Sequence, residues 1–520
     1  MSMVSFAAHA RPCDFPSVPP PDVTAGQDRA QMECQLGVTE PVLPSKLADP
    51  NAPPNTHPKD ASNPEGNWTD DYGHIITRSP WGLWNNYEDA LDGFLPGGSD
   101  GKTLGSPDSW RVFDAPVGSA AAPHSKGQYT PLPLLRMHDG KPVRNANDWW
   151  NRRRPQILND VQTQLYGFTP ERSRWPAITW SVSAITTGVQ TGSDGKEYAY
   201  REKTLTGTVS TAAYPQIRNA PVIRCVLRTP VSTAGTAVPV LIVLGSNAAF
   251  QFTAPAGIGT CGYDPKSVQA DNGAGLTSYV IGLINKGHWR KPSDWGALAA
   301  WAWGASRIVD YFEQTHDPDV DATKLGIEGH SRFGKAALLA TALDRRIAFS
   351  YPSSAGSGGT SMERRHWGEE LENVASTSEY HWMCGNLFKL VGPLHGAAPG
   401  SVAKGTYLPR KIEKLSVDAH SLFALAAPRP IFTNSGTGDS WEDPYGQFLS
   451  AWYANPVYEL LGAKGLVAPA PSAPNLIETD TDYIDGDIGF RYHDGGHVDR
   501  LDFPAFVQFA ARHLNSGTPR

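Results

Sequence analysis

Gly329-His330-Ser331-Arg332-Phe333-Gly334 carries the most explicit chemistry in this 520-residue chain. A serine between two near glycines suits a sharp strand-to-helix turn, because the crowded backbone leaves no room for larger side chains. Such a turn lifts the Ser331 hydroxyl above a sheet and aims the first N–H groups of the next helix at a developing oxyanion. The stretch departs from G-x-S-x-G, since Phe333 stands where the first following glycine would be. The chemistry implied is nucleophilic acyl transfer, and a serine hydroxyl near neutral pH needs a base within hydrogen-bond reach. Two late histidines compete for that role in Tyr492-His493-Asp494-Gly495-Gly496-His497. The paired glycines let the loop bend back toward a sheet edge, which favours His497; His493, at a strand end, reads as structural. A carboxylate must then hold the imidazole in the right tautomer. In Gly436-Thr437-Gly438-Asp439-Ser440-Trp441-Glu442-Asp443-Pro444, Asp439 is the first carboxylate after a strand candidate at 429–433. Glu442 and Asp443 are the alternatives, and Asp443 before Pro444 suits a turn.

The elements that must position these residues follow from the hydrophobic pattern. Val238 to Leu244 is a short apolar run bounded by loop residues, as a buried central strand should be. Lys324 to Glu328 reads as the strand before Ser331, and Phe333 to Asp344 as the Ala/Leu-rich helix after it. Residues 176–184, 203–211 and 222–228 read as antiparallel-type strands. Strands are expected at 346–351, 429–433 and 489–492, and helices at 147–164 (capped by Asn147), 293–314 and 504–514. Strands alternating with helices predict an α/β fold with a mostly parallel central sheet, the three-layer αβα sandwich of the α/β-hydrolases. The catalytic domain is expected over 126–520. Residues 1–125 are expected to form a Pro/Gly-rich arm and loop extension packed on it, since triple Pro19-Pro20-Pro21 and Pro53-Pro54 mark extended chain.

Composition narrows the partners. The net charge of −7 comes with no basic run, so nucleic acid and anionic membranes are not expected to bind. No apolar stretch approaches the roughly 18 residues of a membrane-spanning helix. The 51 Gly, 44 Pro and 16 Trp point to long ordered loops over a sizeable aromatic core. Cys13, Cys34, Cys225, Cys261 and Cys384 include no C-x-x-C pair, so a zinc or iron–sulfur site is not expected. Cys13 and Cys34 could bridge the arm or stay unpaired; Cys225, in an apolar run, reads as a small core residue. The first ten residues lack the pattern of a signal peptide.

Gly329-His330-Ser331-Arg332-Phe333-Gly334-Lys335 resembles the G-[CH]-S-R-x-G-K signature of the glucuronoyl esterases, carbohydrate esterase family 15, in its bacterial form. Arg152–Pro155, Asp294–Ala297, Ser357–Gly359, His381-Trp382, Asp418–Ser421, Ala427–Pro430 and Gly495–His497 follow in family order, so the resemblance covers roughly 130–515. It implies a secreted or periplasmic serine esterase without metal or cofactor, expected to be a monomer. Its implied substrate is the ester joining (4-O-methyl-)glucuronic acid side chains of glucuronoxylan to lignin alcohols. Ser331, His497 and Asp439 then form the triad. Arg332 faces the oxyanion, and Lys335, Glu369 (with Glu370 as a neighbour) and Trp441 face the sugar. The Gly245-Ser246-Asn247 loop could assist the oxyanion on topology alone. Fungal members carry their acid where this chain has Ser354, which shifts the role to the later strand. An acetyl xylan esterase is the nearest rival, although acetate needs no uronate pocket. A catalytically silent carbohydrate-binding protein is the rival from another class.

Overall fold

The computed structural model describes residues 13, 15–37, 131–231, 236–246, 248–365, 369, 371–375, 379–390, 414–439, 442–471 and 477–515, together with short strand segments between 68 and 104. Helix α1 (Ala25–Leu36) lies near the start, followed by α2 (Arg154–Val161). An 11-stranded sheet forms the centre. Its strands are β1 (Ile178–Val182), β2 (Thr186–Thr191), β3 (Glu197–Val209), β4 (Val222–Pro230), β5 (Val238–Leu244) and β6 (Gly259–Tyr263) in the first half. Helix α3 (Ala297–Thr315), β7 (Val320–His330), α4 (Arg332–Leu343), β8 (Phe349–Ser353), α5 (Ala419–Ala426), β9 (Ile431–Gly436), α6 (Pro444–Tyr453), β10 (Asp482–Tyr483), β11 (Ile488–His493) and α7 (Phe503–Asn515) complete it. The spatial order is β10-β11-β9-β8-β7-β5-β6-β4-β3-β1, with β2 beside β3. The run from β11 to β6 is parallel, and both flanks are antiparallel.

Strand β5 shows why the parallel centre is so apolar. Val240, Ile242 and Leu244 enter one core, while Leu241 and Val243 enter the other. Successive side chains point to opposite faces, so a strand covered on both faces must be hydrophobic throughout. The first core is closed by α3, α4, α5 and α6. The alanines of α4 (Ala336, Ala337, Ala340, Ala342) are buried and let the helix approach the sheet. The second core is closed by α7, whose Phe503, Phe506 and Phe509 meet Phe349, Tyr351 and Phe432. Phe506 lies 4.8 Å from Tyr351, ring centre to ring centre, and its truncation to Ala would cost about 3–5 kcal/mol.

The three-layer αβα sandwich is the expected one, with local departures. Asn145 caps the helical stretch before α2, accepting from the Asp148 N–H at 3.0 Å, rather than Asn147. That stretch is not one α-helix: π-helical turns at Trp149–Arg153 and Gln162–Tyr166 flank α2. Helix α3 starts at Ala297, not 293, because the Asp294 carboxylate takes the Lys291 N–H into a turn and extended Gly296 precedes the helix. Strands β2 and β6 escaped the sequence reading; Thr186–Thr191 is polar and Gly259–Tyr263 carries two glycines, so neither shows strand periodicity. Cys225 is not a lone core thiol: it is joined to Cys261 on the neighbouring strand. Cys13 is joined to Cys34 on α1, and buried Cys384 is free.

Candidate active site

Ser331 sits between β7 and α4 with φ 58° and ψ −129°. A non-glycine residue at positive φ is strained, and here the neighbours enforce it. A Cβ on Gly329 would collide with the Phe333 carbonyl, and one on Gly334 with the Ser353 carbonyl. The Ser331 N–H donates to the Ser353 oxygen at 2.9 Å, which pins the turn to β8. The helix that follows runs 12 residues, so its N-terminus offers a full macrodipole at the serine.

His497 is brought to the same edge by the loop after β11. The Gly438 N–H donates to the Gly495 carbonyl at 2.7 Å, and the Thr437 N–H to the His493 carbonyl at 2.9 Å. His497 Nδ1 then lies 2.9 Å from Asp439 Oδ2. Its ring packs 4.3 Å from that of His330, the residue before Ser331. With Nδ1 engaged by the carboxylate, Nε2 is the nitrogen left to move a proton. Asp439 is 4% exposed while the His497 side chain is 38% exposed, so a buried charge orients an accessible ring. His493 lies apart from this pair. It is fully buried, with Nδ1 2.7 Å from Asp502 Oδ2 and Nε2 3.0 Å from the Gly496 carbonyl. Burial works against its charge, but Asp502 outweighs burial and raises its pKa.

The other acids divide by role. Asp443 caps α6, accepting from the Gly446 N–H at 3.0 Å. Glu442 is buried beside the pair, with one oxygen lacking a hydrogen-bond partner. Burial, then the neighbouring Glu369 and Asp439, push its carboxyl well above the usual range against the pull of Lys335. Ser354 is buried at φ 40° and offers no charge. Two residues on, a Cβ at Gly356 would overlap the carboxylates of Glu442 and Glu369, so those acids fill the space beside the Ser354 turn. Asp439, Glu442 and His497 each bring one potential ligand atom within 4.8 Å of the others, the one such group among the described residues. Two of the three, His497 and Asp439, are already bonded to each other.

Arg332 projects from the first turn of α4, its side chain 44% exposed, with Nη1 2.9 Å from Asp271 Oδ2. Its guanidinium lies 5.1 Å from the centre of the Trp382 ring. Lys335 is expected facing the sugar, but its side chain is only 2% exposed. Its ammonium donates to the Ala355 carbonyl at 2.9 Å, the Ser357 carbonyl at 2.6 Å and Glu369 Oε2 at 2.5 Å. All three protons are taken by protein oxygens, so this cation fixes Glu369 from beneath. Burial disfavours its charge, but Glu369 and Glu442 outweigh burial and hold its pKa up. Glu369 Oε2 also accepts the Ser357 N–H at 3.1 Å. Trp441, Glu370 and Asn247 lie outside the described residues, while Gly245 and Ser246 are exposed at the end of β5. Asp271 and His330 also lie at this site, and neither carries a signal in the sequence. Asp271 lies in a loop with no periodic signal, and His330 read only as a variable place in the serine motif.

Known proteins share this arrangement of chain. The model of the family described as "Glucuronyl esterase, fungi" matches residues 222–462. The chain is 38% identical over 224 residues to "Carbohydrate esterase MZ0003" from an unknown prokaryotic organism, covering 43% of this chain and 46% of that relative. The chain thus spans about half the length of that relative. It is 28% identical to a 4-O-methyl-glucuronoyl methylesterase of Phanerochaete carnosa, over 64% of this chain and 72% of the relative. Among solved structures, a CE15 glucuronoyl esterase from Teredinibacter turnerae T7901 superposes with a TM-score of 0.67 at 29% identity. The match covers 94% of this chain and 100% of that one. The elbow and the late histidine loop agree with these likenesses, and the chain is similar to the glucuronoyl esterases of carbohydrate esterase family 15.

Proposed function

We propose that this chain is a serine carboxylic ester hydrolase that cleaves the ester between (4-O-methyl-)glucuronic acid side chains of glucuronoxylan and lignin alcohols. The observation that carries the reading is the His497 Nδ1–Asp439 Oδ2 contact of 2.9 Å, packed against the residue before Ser331. Ser331 Oγ attacks the uronate carbonyl carbon as His497 Nε2 accepts the hydroxyl proton. Asp439 holds the Nδ1 proton and stabilises the imidazolium that forms. The carbonyl oxygen gains charge toward the Arg332 guanidinium and the N–H groups at the start of α4. The esterified carboxyl is neutral at rest, so a cation placed there favours the transition state over the bound substrate. His497 then returns its proton to the leaving alcohol. Water, activated by the same ring, releases glucuronate from the acyl-enzyme.

Glu369, anchored by Lys335 and the Ser357 N–H, supplies the acceptor for sugar hydroxyls. Trp441 is the flat apolar partner for the pyranose face, on the family resemblance. Residues 126–520 are the catalytic domain in this reading, with the preceding chain as an extension. The two disulfides support a secreted or periplasmic setting, where such bonds persist. Hydrolysis of benzyl glucuronate and of 4-nitrophenyl acetate, compared side by side, tests the substrate class. Preference for the uronate supports it, and activity on acetate alone would sink it.

A further inference from the structure

We propose that Asp271 is a positioning residue for the reaction, holding the Arg332 guanidinium in place over the oxyanion. The proposal rests on the role given to Arg332 above. Asp271 comes from the loop at 270–272, far in sequence from the serine motif, yet one carboxylate gathers three donors. Its Oδ1 accepts from His381 Nε2 at 3.0 Å and from Trp382 Nε1 at 2.8 Å, and its Oδ2 from Arg332 Nη1 at 2.9 Å. The Lys266 ammonium stands a further contact away, 3.9 Å from Oδ2. The Asp271 side chain is 9% exposed while that of Arg332 is 44% exposed. The buried member of the pair is fixed from behind by two ring N–H groups, and the accessible member is aimed by it.

Each part has a physical reason. A long, part-exposed arginine side chain would otherwise sample several rotamers, and fixing it costs free energy at the moment of reaction. A charge-assisted bond to a rigid acceptor settles that cost in the folded state. Trp382 contributes twice, since its N–H holds Asp271 and its ring face lies 5.1 Å from the Arg332 guanidinium. Burial alone would favour the neutral carboxyl, but the His381 and Trp382 bonds and the Arg332 charge hold it far below the usual range. Asp271 therefore stays ionised across the working pH of an esterase. His381 is buried and its pKa is lowered by burial, against the pull of Asp271, so it serves as a neutral donor.

The experiment is a kinetic double-mutant cycle on benzyl glucuronate with wild type, Asp271→Asn, Arg332→Ala and the double variant. Asp271→Asn keeps Oδ1 as acceptor for His381 and Trp382 but turns an NH2 group toward Arg332. It is expected to lower kcat about 10- to 50-fold, a part of the roughly 10²–10³ lost with a whole oxyanion donor, with KM within about twofold. In the Arg332→Ala background the same change should add nothing. An unchanged kcat in Asp271→Asn, with Arg332→Ala impaired, would overturn the proposal and leave the role of Arg332 standing. Equal losses in both backgrounds would also overturn it, since Asp271 would then act by another route. An unaffected Arg332→Ala variant would remove the reading of Arg332 and this proposal together. Should Asp271→Asn not fold, Asp271→Glu takes its place: it moves the charge by one methylene, and a smaller loss confined to kcat is expected. Wild-type kcat there would overturn the proposal.

Discussion

The imidazole rings of His330 and His497 lie 4.3 Å apart, tilted by 46°, so the residue before the candidate nucleophile is also a wall for the candidate base. His330 is tied in place by a 3.1 Å contact from Nδ1 to Ser353 Oγ. Burial, then the nearby His497, lower its pKa to about 4. Asp499 and a bond to the His497 backbone oppose that shift, and His493 adds to it. His330 is therefore neutral where His497 does its work. The acid limb of kcat/KM should then carry no added step from His330 above about pH 5, and a slope of two there would contradict this. The same shift sets a stability trend. The folded pKa is below the unfolded value, so this contribution is complete above about 6.5 and is lost as pH falls toward about 4. Thermal unfolding of His330→Phe across that window should show a weaker acid dependence than the parent.

Asp439 and Glu442 offer a direct contest for the acid. Only Asp439 reaches His497 Nδ1, at 2.9 Å, and Glu442 is pushed toward its neutral form by burial. Asp439→Ala is expected to lower kcat by about 10³–10⁴, the scale seen when a triad acid is removed. Glu442→Gln keeps the shape of a protonated carboxyl and should cost less than about tenfold. Steady-state kinetics on benzyl glucuronate decide it, and a larger loss from Glu442→Gln would reverse the assignment.

Buried Glu363 gives the protein an alkaline weakness. Burial, then Asp418, raise its pKa to about 8, against bonds from the Ser357 hydroxyl and the Gly358 N–H. A folded pKa above the unfolded value means that its stabilisation is complete below about 4.5 and is lost as pH rises through about 8. Tm should decline from pH 7 to 9 in the parent, and the decline should flatten in Glu363→Gln. An unchanged decline in the variant would place the weakness elsewhere.

The Cys13–Cys34 bond closes a separation of 21 residues around α1. The helix is also held by contacts to the body: the Tyr380 hydroxyl donates to Asp28 Oδ2 at 2.7 Å, and Trp289 Nε1 to the Pro16 carbonyl at 2.8 Å. A loop of that size is worth about 3 kcal/mol in the chain-entropy picture. Cys13→Ser with Cys34→Ser should speed amide exchange across residues 25–36 while leaving the central strands protected. Equal protection with and without the bond would show that packing alone holds the helix.

The sequence made the parallel centre legible because burial on both faces leaves little choice of residue. Strand β5 was expected at Val238–Leu244 and lies there. The serine turn was readable for a related reason, as its glycines are dictated by backbone collisions at Gly329 and Gly334. Edges were less legible: polar β2 and Gly-bearing β6 take their pairing from neighbours rather than from their own pattern. The site divides in the same way. Asp439 followed from topology, since the acid after a strand end is a matter of chain order. The depth of Lys335 did not, because a lysine four residues past the serine looks the same whether it meets solvent or Glu369. Asp271 was invisible, since its partners come from segments about 60 and 110 residues away.

If Ser331 is the nucleophile, kcat/KM on benzyl glucuronate must collapse in Ser331→Ala measured beside wild type. A loss of about 10⁴ or more is expected, as for removal of a triad serine elsewhere. Activity in Ser331→Ala within about tenfold of wild type would contradict it.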